Sequence, residues 1–305
     1  MLAIKTSAYF LTNSAAIFSD ALESVVHVAA TAMALYSVVL SARPPDESHP
    51  YGHGKIEFVS AGIEGTLIVI AAIGIVYEAV RGLIEGKILV ELDTGIYLTL
   101  GAAVINLVLG WFLIRRGRDT KSITLIASGR HVLTDSYTSF GVVVGLGLVK
   151  WTGLEFLDPI IALIVAGNIL RSGYELIRAS IGGLMDESDP ETLAVLCDVV
   201  NQYRTHEWID LHHLRVIRSG RMQHVDFHLT IPFYWNITQA HSFQKGITNK
   251  IEQFLGGGSQ VLIHLDPCKP TFCKMCELNP CPERQSRHTV QQAWTIKKMV
   301  GGPTG

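Results

Sequence analysis

FVSAGIEGTLIVIAAIGIVYEAV, residues 58–80, reads as one long, mostly apolar helix. A hydrocarbon core of about 30 Å needs roughly 20 mostly apolar residues as helix, and this run supplies them. Residues 94–114, 131–151 and 157–177 read the same way. A fifth run, 19–42, is apolar apart from Asp20, Glu23 and His27. Residues 1–18 are too short to cross comfortably and hold one basic residue, Lys5. They read as a first span lacking its outer half rather than as a signal peptide. The expectation is an α-helical polytopic membrane bundle of six-helix design with a truncated first helix.

Composition agrees. Of the 305 residues, 48% are hydrophobic and 17% charged, against roughly 25% charged in an average soluble protein. The apolar blocks end near residue 180 and the chain then turns mixed and polar. Three parts follow: a membrane domain over 1–182, a soluble domain over 187–267, and a Cys-rich tail over 268–305 with a disordered end beyond about 284. A net charge of −2 argues against a nucleic-acid partner.

Basic residues flanking the spans set the orientation. Arg115, Arg116, Arg118 and Lys121 follow the fourth span, Arg43 and Lys55 follow the second, and Arg171 and Arg178 end the last. The opposite loops hold only Arg81, Lys87 and Lys150. The richer side is read as cytoplasmic, which puts the soluble domain there, with the protein in the cell (inner) membrane. The five cysteines then face a reducing compartment and read as thiols or metal ligands.

Glu23 and His27 are spaced i,i+4, as are His131 and Asp135. That spacing stacks two side chains on one helix face. Two such helices facing one another offer two imidazoles and two carboxylates, a tetrahedral shell suited to Zn²⁺. Ionisable groups inside a bilayer are costly and mark ion paths. Asp20, on nearly the same face, reads as a carboxylate orienting His27 or a neighbouring ligand. Glu78 reads as a span-end group, and Asn106 as an interhelical hydrogen-bonding group. Gly141, Gly145 and Gly147 allow close helix approach. In the loop after the second span, Asp46, His49 and His53 could form another metal site.

In the soluble part, 190–204 reads as a helix with Asp189 as N-cap and Pro190 at its first position. Residues 211–218 and 222–231 read as strands around Ser219-Gly220, 239–254 as a helix and 260–265 as a strand. His224, Asp226 and His228 alternate and share one strand face. Cys268, Cys273, Cys276 and Cys281 are spaced C-x4-C-x2-C-x4-C. They suit a Cys₄ zinc site, with an iron–sulfur cluster as the alternative. Cys197, in mid-helix, reads as a buried apolar residue.

Several blocks together resemble the cation diffusion facilitator family of metal/proton antiporters. They are Ser14-Ala-Ala-Ile-Phe-Ser-Asp20-Ala-Leu-Glu23-Ser with His27, His49-Pro-Tyr-Gly-His53-Gly-Lys55-Ile-Glu57, His131-Val-Leu-Thr-Asp135, Leu157-Asp-Pro159-Ile-Ile-Ala, and Leu262-Ile-His264-Leu-Asp266-Pro267. The resemblance implies six membrane helices, a small cytoplasmic α/β domain like a metallochaperone, a homodimer, and a transport site of Glu23, His27, His131 and Asp135. It also implies a cytoplasmic metal site at His212, His228, His241, His264 and Asp266. Where Glu23 stands many members have Asp or His, and where His27 stands, Asp. That departure leaves Zn²⁺ first, with Fe²⁺, Co²⁺ and Mn²⁺ as alternatives. Protons and the lipid bilayer are the other implied partners, and no catalytic residue is implied. A membrane-anchored metal sensor that does not transport is the alternative function. A metalloprotease is disfavoured, because the nearest text to its helical motif, His206-Glu-Trp-Ile-Asp210, lacks the second histidine.

Overall fold

The computed structural model describes residues 2–85, 91–119, 123–220, 222–256 and 258–303, without the side chains of 123–128, 130 and 131. Lys87, Lys121 and the His131 side chain lie outside the described residues. The chain divides into two compact units, Met1–Val38 with Val59–Ile181, and Val39–Phe58 with Gly182–Gly305.

The first unit is helical. Helices α2 (Ala15–Ser41), α3 (Ile56–Glu85), α4 (Leu92–Asp119), α5 (Ile123–Thr152) and α6 (Leu157–Leu184) follow the short α1 (Leu2–Thr12). Among the described residues, five helices are long and apolar enough to cross a membrane. At 1.5 Å per residue, the 11 residues of α1 cover about 16 Å, roughly half a hydrocarbon core. Large apolar side chains such as Ile70, Ile73, Tyr77 and Ile164 point outward, while Ala72, Ala79, Ala162 and Ala166 are buried between helices. Small residues inside and large ones outside suit a solvent of lipid tails, where close backbone approach drives packing.

Two contacts fix the helices near their ends and middles. Asp158 of α6 accepts hydrogen bonds from the backbone N–H groups of Ala15 (2.8 Å) and Ala16 (3.3 Å) at the start of α2. A carboxylate from one helix thus caps another, where free N–H groups and the helix dipole favour an anion. Between α3 and α6, a Cβ on Gly65 would stand 3.0 Å from the Gly173 carbonyl oxygen, so these backbones touch only because both positions are glycine. Of the three glycines expected to serve this purpose on α5, Gly145 does so against Ile161. Gly141 and Gly147 have open space where a Cβ would be and make no such approach.

The second unit has the expected α-β-β-α-β order: α7 (Pro190–Tyr203), β1 (Asp210–Ser219), β2 (Met222–Ile231), α8 (Ile237–Leu255) and β3 (Ser259–Pro267). Asp189 caps α7 by accepting from the N–H groups of Glu191 and Thr192. Asn236 and Gln239 form a capping box at the start of α8. The sheet order is β1-β2-β3, with β2 antiparallel to β1 and parallel to β3. Leu196, Val200, Phe227, Leu229 and Ile251 fill its core. The segment Val39–Phe58 belongs to this unit. There Lys55 pairs with Asp186 at 2.8 Å and Tyr51 meets His224 edge-on.

The expectation of a disordered end beyond 284 is corrected. Trp294 is 4% and Met299 0% exposed, both within the same core. Helix α9 (Ile296–Val300) lies on β1, and Arg204 stacks on the Trp294 ring at 4.2 Å. Two large apolar side chains in a polar segment are enough to anchor it, each contributing roughly 1.5–3 kcal/mol when buried.

Candidate metal centres

Among the described residues, three groups of imidazoles and carboxylates each bring their ligand atoms within 4.8 Å of one another. The first lies in the membrane unit. Glu23 and His27 face one way from α2, and Asp135 meets them from α5. His27 Nε2 stands 3.8 Å from Glu23 Oε1 and 3.5 Å from Asp135 Oδ1. All three side chains are partly exposed, between 19% and 24%. His131 sits in α5 one turn before Asp135.

Asp20 takes a different part from the one expected. It does not reach His27. Fully buried, it accepts from Lys5 Nζ of α1 at 2.8 Å and from Ser139 Oγ of α5 at 2.7 Å. Three helices meet at this carboxylate, less than one turn before Glu23. An unpaired charge here would be prohibitive, and the ammonium makes the burial tolerable. Glu64, a half-buried carboxylate on α3 within electrostatic range of His27, also escaped the sequence reading. Its position inside an apolar span was the available signal.

The second group is the loop. Asp46 Oδ1 accepts from the backbone N–H of Ser48 and His49 at 3.0 and 2.6 Å. Its carboxylate stands 3.1 Å from His49 Nδ1 and 3.3 Å from His53 Nε2. The Ser48 hydroxyl, with the His49 N–H and ring, holds the Asp46 carboxyl down at about 2, so it stays ionised at any physiological pH.

The third group is built on the sheet. Strand register makes His212 the partner of His228, and His228 the partner of His264. Their rings follow one another at 5.1 and 4.5 Å. Asp266 joins them: His228 Nδ1 lies 2.9 Å from Oδ2, His212 Nε2 3.5 Å from the same oxygen, and His264 Nε2 3.5 Å from Oδ1. His212 Nδ1 is backed by Asp210, fully buried, at 3.2 Å. Asp210 in turn binds Lys298 of α9 at 2.8 Å. This arrangement favours the proton on Nδ1 and leaves Nε2 for a metal. Burial pushes His212 below its ordinary value, against the opposing pull of Asp210 and Asp266. Neither Asp210 nor Lys298 was singled out from sequence. Asp210 stands two residues before His212 on β1, whereas Lys298 is visible only once the tail is packed on that strand.

The expected ligand His241 and several neighbouring residues lie outside these groups. His241 is exposed on α8, outside the group, along a groove that Asp266 also lines. His213, at a bulge with φ 54°, donates its N–H to Gly301. Asp226 faces Arg215 at 3.8 Å. Cys197 is buried as expected, its thiol donating to the Trp294 carbonyl at 3.3 Å. The thiols of Cys268, Cys273, Cys276 and Cys281 line one cavity, and burial raises those of Cys268 and Cys276. No observation supports the iron–sulfur alternative.

A bundle of membrane helices with an imidazole–carboxylate cluster between two spans, followed by an α/β unit carrying a histidine row, defines a membrane cation carrier. Residues 1–185 match the cation efflux transmembrane domain, and residues 188–268 the cytoplasmic domain of cation efflux proteins. The chain belongs to the cation efflux family. It is an integral membrane protein, a cation transporter rather than an enzyme, with its C-terminal domain in the cytoplasm. An uncharacterized transporter of Synechocystis is 38% identical over 87% of this chain and 85% of its own. A manganese efflux system protein of Bacillus subtilis is 31% identical over 84% and 87%. A cation-efflux pump of Citrobacter koseri is 29% identical, covering 88% of each.

Proposed function

We propose that this protein exports a divalent transition metal, Zn²⁺ first, from the cytoplasm across the inner membrane in exchange for protons. The observation that carries the reading is the convergence of Glu23, His27 and Asp135 between α2 and α5. His131, one turn from Asp135, would complete a four-ligand shell of two imidazoles and two carboxylates, the donor mix that suits Zn²⁺.

The chemistry of the ligands supplies the coupling. Imidazole and carboxylate bind metal only when deprotonated, so metal and proton compete for the same atoms. Facing the cytoplasm, the site releases protons as it takes metal. Rocking of the helices turns it outward, where incoming protons displace the metal and reset the carrier. The loop group of Asp46, His49 and His53 would collect metal on the cytoplasmic side. The sheet group of His212, His228, His264 and Asp266 would bind regulatory Zn²⁺ and favour a transport-competent homodimer, a shift of population.

Mn²⁺ is the second reading, favoured by the manganese efflux relative and by the two carboxylates at the site. His27 weighs against it, since Mn²⁺ suits oxygen ligands.

Uptake into inside-out vesicles tests both. Zn²⁺, Fe²⁺, Co²⁺ and Mn²⁺ are compared with and without an imposed pH gradient. Asp135→Ala should reduce saturable uptake by about 100-fold or more, since even outer-shell changes cost 10–100-fold. Flux indifferent to the gradient would refute antiport. Uptake of Mn²⁺ above Zn²⁺ would reverse the metal order. No uptake in either form, with metal still bound by the cytoplasmic unit, would favour a non-transporting sensor.

A further inference from the structure

Beyond Cys268 the chain leaves the matched cytoplasmic domain, yet it stays folded against it. Cys268 directly follows β3, its N–H bonded to the Ile231 carbonyl at 2.9 Å. The short 3-10 turn Pro270–Lys274 carries Cys273 and returns the Cys276 N–H to the Phe272 carbonyl at 2.9 Å. Phe272 and Cys276 are buried with Ile209 in a small satellite core. Cys281 completes the set, and all four thiols are free and border one cavity. Each lies within electrostatic range of at least one of the others.

A guanidinium stands beside them. Arg284 lines the same cavity and donates to the carbonyl oxygens of Cys273 and Cys276, both at 3.1 Å, and of Leu278 at 2.5 Å. It therefore ties the backbone that presents the sulfurs. It also brings a positive charge to a site where four thiolates around a divalent ion would leave a double negative charge. Tyr234 closes another wall.

We propose that Cys268, Cys273, Cys276 and Cys281 hold one Zn²⁺ in a tetrathiolate site, separate from the transport path, that clasps the C-terminal extension to the end of β3. The four sulfurs ring the cavity without all lying within 4.8 Å of one another, unlike the three imidazole–carboxylate groups. Zinc–sulfur bonds of about 2.3 Å would draw them together. One local segment supplies every ligand, so this closure leaves the sheet in place. The clasp has a consequence at a distance. The same extension delivers Lys298 to Asp210 and the Gly301 carbonyl to the His213 N–H. Loss of the clasp therefore loosens the support beneath His212. Thiolate ligands select Zn²⁺ over Mn²⁺ or Mg²⁺ whichever metal is transported, so this site stands independently of the transport reading.

The test uses the full-length reduced protein in detergent, loaded with Co²⁺ under anaerobic conditions. A tetrahedral cobalt–thiolate site gives a charge-transfer band that imidazole and carboxylate sites lack. The band is expected in the parent protein and in Asp135→Ala and Asp266→Ala, to be displaced by Zn²⁺, and to be lost in Cys273→Ser/Cys281→Ser. In the unaltered protein, Zn²⁺ should also slow alkylation of all four thiols together, read by mass spectrometry, a measurement that needs no variant to fold. Absence of the band in the reduced parent protein, its survival in the double variant, or alkylation unchanged by Zn²⁺ would each overturn the proposal.

Discussion

The membrane cluster and the cytoplasmic row use the same donor chemistry in different mechanical settings. In the membrane, Glu23 and His27 belong to one helix and Asp135 to another. The approach of the two helices sets the spacing of the ligands, at 3.5 Å between His27 and Asp135. On the sheet, His212, His228 and His264 are register partners on adjacent strands, held about 4.8 Å apart by the backbone ladder itself. A helix pair can slide or tilt at the cost of side-chain contacts, whereas a strand pair must break hydrogen bonds. The first arrangement suits a site that has to open to both sides in turn, and the second a site that keeps its shape and reports occupancy. The backing differs likewise. Asp210 backs His212 directly, and Lys298 holds Asp210 in turn. In the bundle the buried Lys5–Asp20–Ser139 contact fixes the helices near the cluster rather than the ligands themselves.

The largest effect expected from this comparison is at that contact. Lys5→Met leaves the Asp20 carboxylate buried without its ammonium and should destabilise the bundle by about 3–5 kcal/mol. A shifted thermal transition of the detergent-solubilised protein would report it. The double variant Lys5→Met/Asp20→Leu should recover most of the loss, because replacing both members of a buried pair by apolar groups is often neutral. A Lys5→Met protein with unchanged melting and unchanged metal uptake would show that the helices are fixed elsewhere, and the contrast with the sheet would lose its basis.

Next in size is Asp210→Asn. It should weaken metal binding at the cytoplasmic row by roughly 10–100-fold, as outer-shell partners of histidine ligands do. Titration calorimetry in an Asp135→Ala/Asp46→Asn/Cys273→Ser/Cys281→Ser background, where the membrane, loop and thiol groups are silenced, isolates the effect. With Asp210→Asn as the sole change, uptake at saturating metal should match that of the unaltered protein. Equal affinity with and without the Asp210 carboxylate would mean that strand register alone orients His212.

Particular residues explain what could be read in advance. Spans were legible because a bilayer demands long apolar runs, and the i,i+4 pairs because the helix period stacks them. The row His212–His228–His264 was legible as ligands only through the family resemblance, because register is a property of the ladder and not of any one strand. Asp158 was visible as part of a motif, but its capping of α2 from a distant helix was not. The partners of Asp20 were not legible because Lys5 and Ser139 lie on other helices, and no local pattern in either run places them against α2. The packed end of the chain was missed because the low apolar content between 285 and 303 hides how much Trp294 and Met299 bury. His241, matched by resemblance, stands exposed on α8 along the groove that Asp266 lines, and its part in the site is not legible from one chain.

The smallest effect is a pH dependence that separates the row from the loop. Burial lowers the folded-state value of His212 beneath its ordinary 6.5. Below 6.5 the unfolded chain therefore binds a proton at this residue that the folded chain refuses. Stability of the metal-free cytoplasmic unit should be flat above that point. It should fall on acidification until the folded value is reached, with a slope of at most about 1.4 kcal/mol per pH unit from this one group. Hydrogen exchange at the β1 and β2 amides of the full-length, metal-stripped protein reads this locally. The slope should shrink in His212→Gln. Asp46 gives the control: its carboxyl, held at about 2, stays ionised through the whole window, so Asp46→Asn should leave the slope unaltered. A slope that persists in His212→Gln would assign the acid sensitivity to another group and leave His212 as a passive member of the row.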